Sequence, residues 1–195
     1  MRGSVVALLI AASVACVGCN DNLQEQSPAL SAVVREVPIV NVPQGDRQAN
    51  WPSSAGEGSC SHASIISLLR WCGEYNLAAK HREKYEGGEY IDSLLAELND
   101  DKISHASCRN GDFDFLSWCI RTRRGAAITW MGGRHMLCIV DINDGKAGIL
   151  DNNSVEKITW VPLDRFRAEW NESGGVAISL LYAPAAPLGI GLSDH

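Results

Sequence analysis

Apolar positions along the chain follow two rhythms, and the change from one to the other divides it. From Cys60 onward Ala63, Ile66 and Leu69, together with Ile65, Leu68 and Cys72, recur at three- and four-residue steps. That spacing predicts a helix opening at Cys60 and stopping near Cys72-Gly73. Leu77 to Tyr85 reads as a second, charged helix closed by Glu86-Gly87-Gly88, and Asp92 to Leu98 as a third with Leu94, Leu95 and Leu98 on one face. Asn110-Gly111-Asp112 introduces a fourth, which Asp112 caps and which runs to Arg124-Gly125. After that the apolar runs shorten and become rich in β-branched and aromatic residues. Ala126 to Met131, His135 to Ile142, Ala147 to Asp151, Val155 to Trp160 and Val176 to Tyr182 are predicted strands, interrupted by one helix, Leu163 to Trp170, after Pro162. Asn143-Asp144-Gly145 is a hairpin-type turn. Helices first and an antiparallel sheet afterwards make an α+β chain.

The two ends carry other patterns. Arg2 precedes an apolar run from Val5 to Val17, then Gly18-Cys19 and the polar Asn20-Asp21-Asn22. A run of about 13 apolar or small residues suits the core of a signal peptide and is short for a bilayer span, so residues 1–18 are expected to be an export signal. Gly18-Cys19 resembles the bacterial lipoprotein cleavage box, which implies a lipidated Cys19 and a contact with a membrane surface; Cys16 departs from that box. Plain secretion and an uncleaved anchor are the alternatives. Residues 19–43 read as a tether with an edge strand at its end, 44–182 as one domain, and 183–195, with Pro184 and Pro187, as a loose tail.

Within the domain, Cys60 is placed where chemistry is cheapest to obtain. A thiol at a helix N-terminus faces unpaired N–H groups and the positive end of the dipole, both of which favour thiolate. Gly132-Gly133-Arg134-His135 delivers a histidine to the start of a strand, and the following hairpin returns Asp151-Asn152-Asn153 to the same edge. A carboxylate or amide there orients one ring nitrogen and aims the other at Cys60, the Cys-His-Asp/Asn logic of thiol acyl transfer. Adjacent strand residues face opposite ways, so strand phase decides between Asp151 and Asn152, and an even step along each hairpin arm favours Asp151. His62 is turned about 200° from Cys60 on an ideal helix, and His81 and His105 fall in polar stretches expected to be exposed.

Gly58-Ser59-Cys60 opening a helix, Gly133-Arg134-His135 leading a strand and Leu150-Asp151-Asn152 ending the next resemble the papain-like cysteine peptidases, and within them the bacterial double-glycine-peptidase-like branch. The resemblance spans roughly residues 44–182. It implies a nucleophile on a helix facing a histidine on a sheet, Asp151 as the third residue, and an oxyanion donor from a glutamine side chain upstream of the nucleophile. The usual spacing would put that donor at Ser54, so Gln48 is the first candidate and Asn50 the second, while Asn152 or Asn153 in place of Asp151 would reproduce the Cys-His-Asn form. Cell-wall endopeptidases of the superfamily usually show Asp-Cys-Ser-Gly, which Ser59-Cys60-Ser61-His62 lacks.

Composition narrows the functions. With 195 residues, 46% of them apolar, the chain has room for one domain with a core. A net charge of -6 and the lack of a basic cluster beyond Arg121 to Arg124 argue against nucleic acid as partner. No cofactor is implied, and no metal site, because the His and Cys residues lack zinc spacing. Of the seven cysteines, four (Cys72, Cys108, Cys119 and Cys138) remain for disulfides or core positions once Cys16, Cys19 and Cys60 are assigned. Three functions follow. The first is an exported thiol hydrolase acting on a peptide or protein, with an acyltransferase variant; the second, an inactive papain-like binding module at the cell surface; the third, a disulfide-stabilised structural lipoprotein.

Overall fold

The computed structural model describes residues 37–184; the export signal, Cys19, most of the tether and all but the first two residues of the tail lie outside them. The centre of the described domain is helix α1 (Cys60–Trp71), ten of whose twelve residues are buried. Buried on nearly every side, the helix brings Ser61, His62, Ser64 and Ser67 into the interior along with its apolar residues. Ile65, Ile66, Leu68 and Leu69 are fully buried, each burial worth about 1.5–3 kcal/mol. Helix α2 (Tyr75–Lys84) packs beside it, burying little more than Ala78 and His81, and α3 (Ile91–Asp100) joins the same core cluster through Leu94 and Leu98.

The sheet has six strands in the order β1-β6-β2-β3-β4-β5, every neighbour antiparallel. Its strands are β1 (His105–Cys108), β2 (Ala126–Trp130), β3 (His135–Asn143), β4 (Lys146–Leu150), β5 (Thr159–Pro162) and β6 (Ala177–Leu180). The two-residue period of β3 sorts the core: Met136, Cys138 and Val140 join the cluster with α1, while Leu137 and Ile139 join the one on the opposite face. That second face is covered by α4 (Phe113–Arg121) and α5 (Leu163–Glu172) through Leu116, Cys119, Ile120, Phe166 and Trp170. Asp112 caps α4, its side chain accepting from Phe115 N–H at 3.0 Å. The result is a sheet with helices on both faces.

Three expectations are corrected. Strand β1 was not visible in the sequence: His105-Ala106-Ser107-Cys108 has no β-branched residue and becomes a strand by pairing with β6. The predicted strand at 155–160 starts later, because Asp151 to Ser154 form a turn and only from Thr159 does the chain pair with β4. Residues 37–43 form no edge strand; Val40 N–H meets Val140 O at 3.1 Å, and the Ile39 amide donates to the Asp141 carboxylate at 3.0 Å.

Candidate active site

The site forms where the N-terminus of α1 meets the start of β3. A tight hairpin brings the chain into the helix: Pro52 bridges Gly58, Ser53 N–H donates to Glu57 O at 2.6 Å and Ser59 N–H to Trp51 O at 3.0 Å. Ser59, the residue before the helix, does not cap it, since its hydroxyl accepts from Gly87 N–H at 2.8 Å instead. The first N–H groups of α1 therefore stay available beside the Cys60 thiol. Across from them Trp130 pairs with His135, and the connecting Met131, Gly132 and Gly133 all have positive φ, a geometry that glycine adopts without penalty.

His135 is 8% exposed, and its Nε2 lies 2.9 Å from Asp151 Oδ1. An ionised carboxylate only accepts, so this ring nitrogen carries the proton and Nδ1 is the one left for Cys60. Burial alone would lower the His135 pKa, but hydrogen bonds to Asp151 and Cys60 and the negative charge of both raise it from 6.5 to about 9. The Cys60 thiol is the counterpart. Burial pushes it up, yet the His135 hydrogen bond, a backbone hydrogen bond from Met136, the His135 charge and a further backbone hydrogen bond at Ser61 hold it below its ordinary 9.0. Asp151 is held below the usual carboxylate range first by the His135 hydrogen bond, against its burial. The three groups thus favour a thiolate, an imidazolium and a carboxylate in line.

The other thiols go the opposite way. Burial raises Cys72 and Cys108 to about 11, and Cys119 and Cys138 to about 12. All five cysteines among the described residues are free thiols, and Cys60 is the one pulled toward thiolate.

The remaining sequence candidates separate. Gln48 is not brought to this cluster: its backbone N–H donates to Ser67 Oγ at 2.9 Å and its side-chain amide to Ala49 O at 2.9 Å. Ser67 stands seven residues along α1 from Cys60, about 10 Å at 1.5 Å rise per residue. Ser54 sits at the hairpin tip and hydrogen-bonds Glu86. Asn50 does reach the neighbourhood. Its N–H donates to Asn152 O at 2.8 Å and its amide nitrogen to Asn153 Oδ1 at 2.9 Å. A Cβ on Gly58 would stand 2.9 Å from that same nitrogen, so the loop accepts glycine there. Asn153 lies 3.5 Å from His135 Nε2 through its own amide, and Asn152 turns inward to α1.

His81 is also corrected, from exposed to 1% exposed. It forms a buried pair with His62, Nε2 to Nδ1 at 3.1 Å. One residue escaped sequence reasoning. Ser61 is 3% exposed, its hydroxyl has no hydrogen-bond partner, and it lines the cleft that Cys60 and His135 share with Gly88, Tyr90 and Thr129. Its position next to Cys60 was the only available signal.

No protein-family model matches the chain, and no curated protein matches it in sequence. Solved structures share its fold. A putative C39-like peptidase from Bacillus anthracis aligns with a TM-score of 0.57 over 76% of this chain and 98% of its own, at 13% identity. The peptidase domain of Streptococcus ComA, a bi-functional ABC transporter involved in a quorum-sensing pathway, aligns with a TM-score of 0.51 over 70% and 98%, at 20% identity. The chain therefore has the papain-like fold of C39-type peptidase domains. At these identities the likeness reaches the fold and goes no further.

Proposed function

We propose that this chain is an exported thiol hydrolase that cleaves peptide amide bonds through an acyl-enzyme on Cys60. The observation that carries the reading is the contact line Cys60, His135, Asp151, in which the thiol is drawn toward thiolate and the imidazole toward imidazolium. The thiolate attacks the scissile carbonyl carbon, a C–S bond forms, and the carbonyl electrons move onto oxygen. That oxyanion is received by the N–H of Cys60 and by the Ser61 hydroxyl, which is buried without a partner on a residue lining the cleft and turns outward about χ1 to take the role expected of Gln48. His135 passes its proton to the amine nitrogen as the C–N bond breaks. The neutral ring then takes a proton from water, whose oxygen displaces Cys60 from the thioester, and Asp151 keeps the ring's orientation throughout. The fold shared with peptidase domains supports a peptide as substrate.

Export and lipidation at Cys19 belong to the same proposal on sequence grounds alone. Expression in a bacterial cell and intact mass analysis of the membrane fraction test them: a chain beginning at a diacylated Cys19 is expected, and a cytoplasmic chain retaining Met1 rejects them.

For catalysis, the purified domain is treated with iodoacetamide at neutral pH and mapped by mass spectrometry, beside His135→Ala. Rapid labelling of Cys60 that slows in the variant is expected; equal slow labelling of both sinks the enzyme. The distance of Gln48 from the cluster favours one second reading, a papain-like module that binds peptides without cutting them. Formation of a Cys60 thioester with an active ester separates the two.

A further inference from the structure

Asn152 follows the residue that touches His135, yet its own side chain runs the other way, into the protein. It is 4% exposed, and its amide nitrogen lies 3.0 Å from Cys60 O, 2.8 Å from Met136 O and 3.1 Å from Ser64 Oγ. Two protons serve three acceptors, so one is shared between Cys60 O and Ser64 Oγ, which themselves hydrogen-bond at 3.0 Å. The two carbonyls so joined belong to the residue carrying the thiol and to the residue after the imidazole. The backbone of Asn152 is anchored as well, its carbonyl accepting from Asn50 N–H at 2.8 Å.

The chemistry of this arrangement is asymmetric. The side-chain oxygen of Asn152, Oδ1, is buried and has no partner, and an unmet buried acceptor is destabilising. An apolar residue of similar size would avoid that cost, so the amide is not the choice that packing alone would make. What the amide adds is a donor aimed at carbonyls on two separate elements. The peptide group is planar, so fixing Cys60 O also fixes the Ser61 N–H, one of the donors to the thiol. Met136 is held from the same nitrogen, and its own backbone N–H also reaches the thiol.

We infer that Asn152 is a positioning residue for the nucleophile, fixing from one amide nitrogen both the separation of Cys60 from His135 and the orientation of the backbone donors around the thiol. This rests on the reading of Cys60 as the nucleophile. Asp151 orients the imidazole, and Asn152 orients the thiol's surroundings, so two adjacent residues with opposite side-chain directions serve the two halves of the pair.

The test is the rate of Cys60 alkylation by iodoacetamide as a function of pH, measured on the full chain for wild type, Asn152→Leu, Asn152→Ser and His135→Ala, with circular dichroism and thermal melts of each. Leucine keeps the volume and removes the donor; serine keeps one donor with too short a reach for both carbonyls. In wild type the rate rises at a pH below that of an ordinary thiol. In both Asn152 variants that rise is expected about one unit higher, which is a roughly tenfold slower reaction on the acid side, while the fold survives. An unmoved rise in a folded Asn152 variant overturns the inference and leaves the nucleophile reading standing. Failure of both variants to fold also overturns it, assigning Asn152 to the fold. A wild-type profile identical to that of His135→Ala overturns the reading on which the inference stands, whatever Asn152 does.

Discussion

Asp151 Oδ1 meets His135 Nε2 at 2.9 Å even though strand pairing does not set the two residues opposite one another. Cys138 pairs with Leu150, so the same register continued would bring His135 level with Asn153. The chain leaves the strand first. Asp151 opens a turn in which its carboxylate also accepts from Asn153 N–H at 2.9 Å and its carbonyl from Ser154 N–H at 2.9 Å. With Oδ1 held by both the ring and the Asn153 N–H, and the backbone held by Ser154, the side chain has little freedom to leave the ring. Asp151→Asn should therefore lower amide cleavage on the order of 10²- to 10⁴-fold by disturbing both the tautomer and the orientation of the base. The check is kcat/KM on a peptide together with the alkylation rate of Cys60, and an unchanged kcat/KM removes Asp151 from the mechanism.

The pH dependence of cleavage and of alkylation should differ. Alkylation needs only the thiolate, so its rate rises through the lowered pKa of Cys60 and then stays level. Cleavage also needs the His135 proton for the leaving amine. Its rate rises over the same acid limb and falls as His135 deprotonates near about 9. The two apparent values belong to the pair. The same shift has a stability consequence with a definite sign: the raised His135 pKa contributes stability that is complete below 6.5 and is lost as pH climbs to about 9. Parallel rate profiles for cleavage and labelling up to pH 10 would contradict this assignment.

Much of the candidate site's geometry was readable because its parts are local. The helix opening at Cys60, the glycine approach to His135 and the hairpin turn each occupy a short stretch with its own pattern, and periodicity finds such stretches. The oxyanion donor is a different kind of problem. Counting residues upstream of Cys60 assumes that the chain runs steadily toward the helix, whereas the hairpin at Ser53 to Glu57 folds it back and leaves Gln48 beside Ser67. His81 was hidden for another reason: α2 is charged on most of its surface, and its two buried positions, Ala78 and His81, form too narrow a stripe to register as a face. The inward turn of Asn152 depends on the chain leaving the strand after Leu150, a break that no alternation of apolar and polar residues marks.

The His62 and His81 pair should make the domain sensitive to acid. The rings are 5.1 Å apart, fully buried, with Tyr85 stacked on His62 and Asp101 3.7 Å from His81. Burial lowers both from 6.5 to about 4, the charge of His81 adding to the cost for His62 and Asp101 opposing the shift of His81. The unfolded chain takes up these protons earlier than the folded one, so stability falls as pH drops from above 6.5 to about 4 and is flat below. A single ring shifted this far accounts for on the order of 3 kcal/mol. Thermal melts between pH 4 and 7.5 should show this decline, and His81→Gln, which keeps a hydrogen-bonding side chain but cannot titrate, should reduce it by roughly half, since His62 stays buried. An equally steep decline in the variant would place the acid sensitivity elsewhere.

Ser61 offers a way to separate oxyanion stabilisation from nucleophile activation. Side chains on a helix lean toward its N-terminus, so a hydroxyl on the first turn of α1 lies on the side where the Cys60 N–H is open. Its oxygen is buried and partnerless on a residue that lines the cleft, so its proton is uncommitted and reaches an oxyanion there after rotation about χ1. Alkylation by iodoacetamide passes through no tetrahedral oxyanion, whereas acylation by a peptide or an active ester does. Ser61→Ala should therefore leave the alkylation rate of Cys60 within about twofold while lowering the acylation rate on the order of 10²- to 10³-fold, the usual loss for one oxyanion donor. Stopped-flow acylation by a nitrophenyl ester, run beside alkylation on the same preparation, reads both. If the two rates fall together, Ser61 acts on the thiol and not on the oxyanion; if neither falls, the hydroxyl has no part in the reaction and the Cys60 N–H needs another partner.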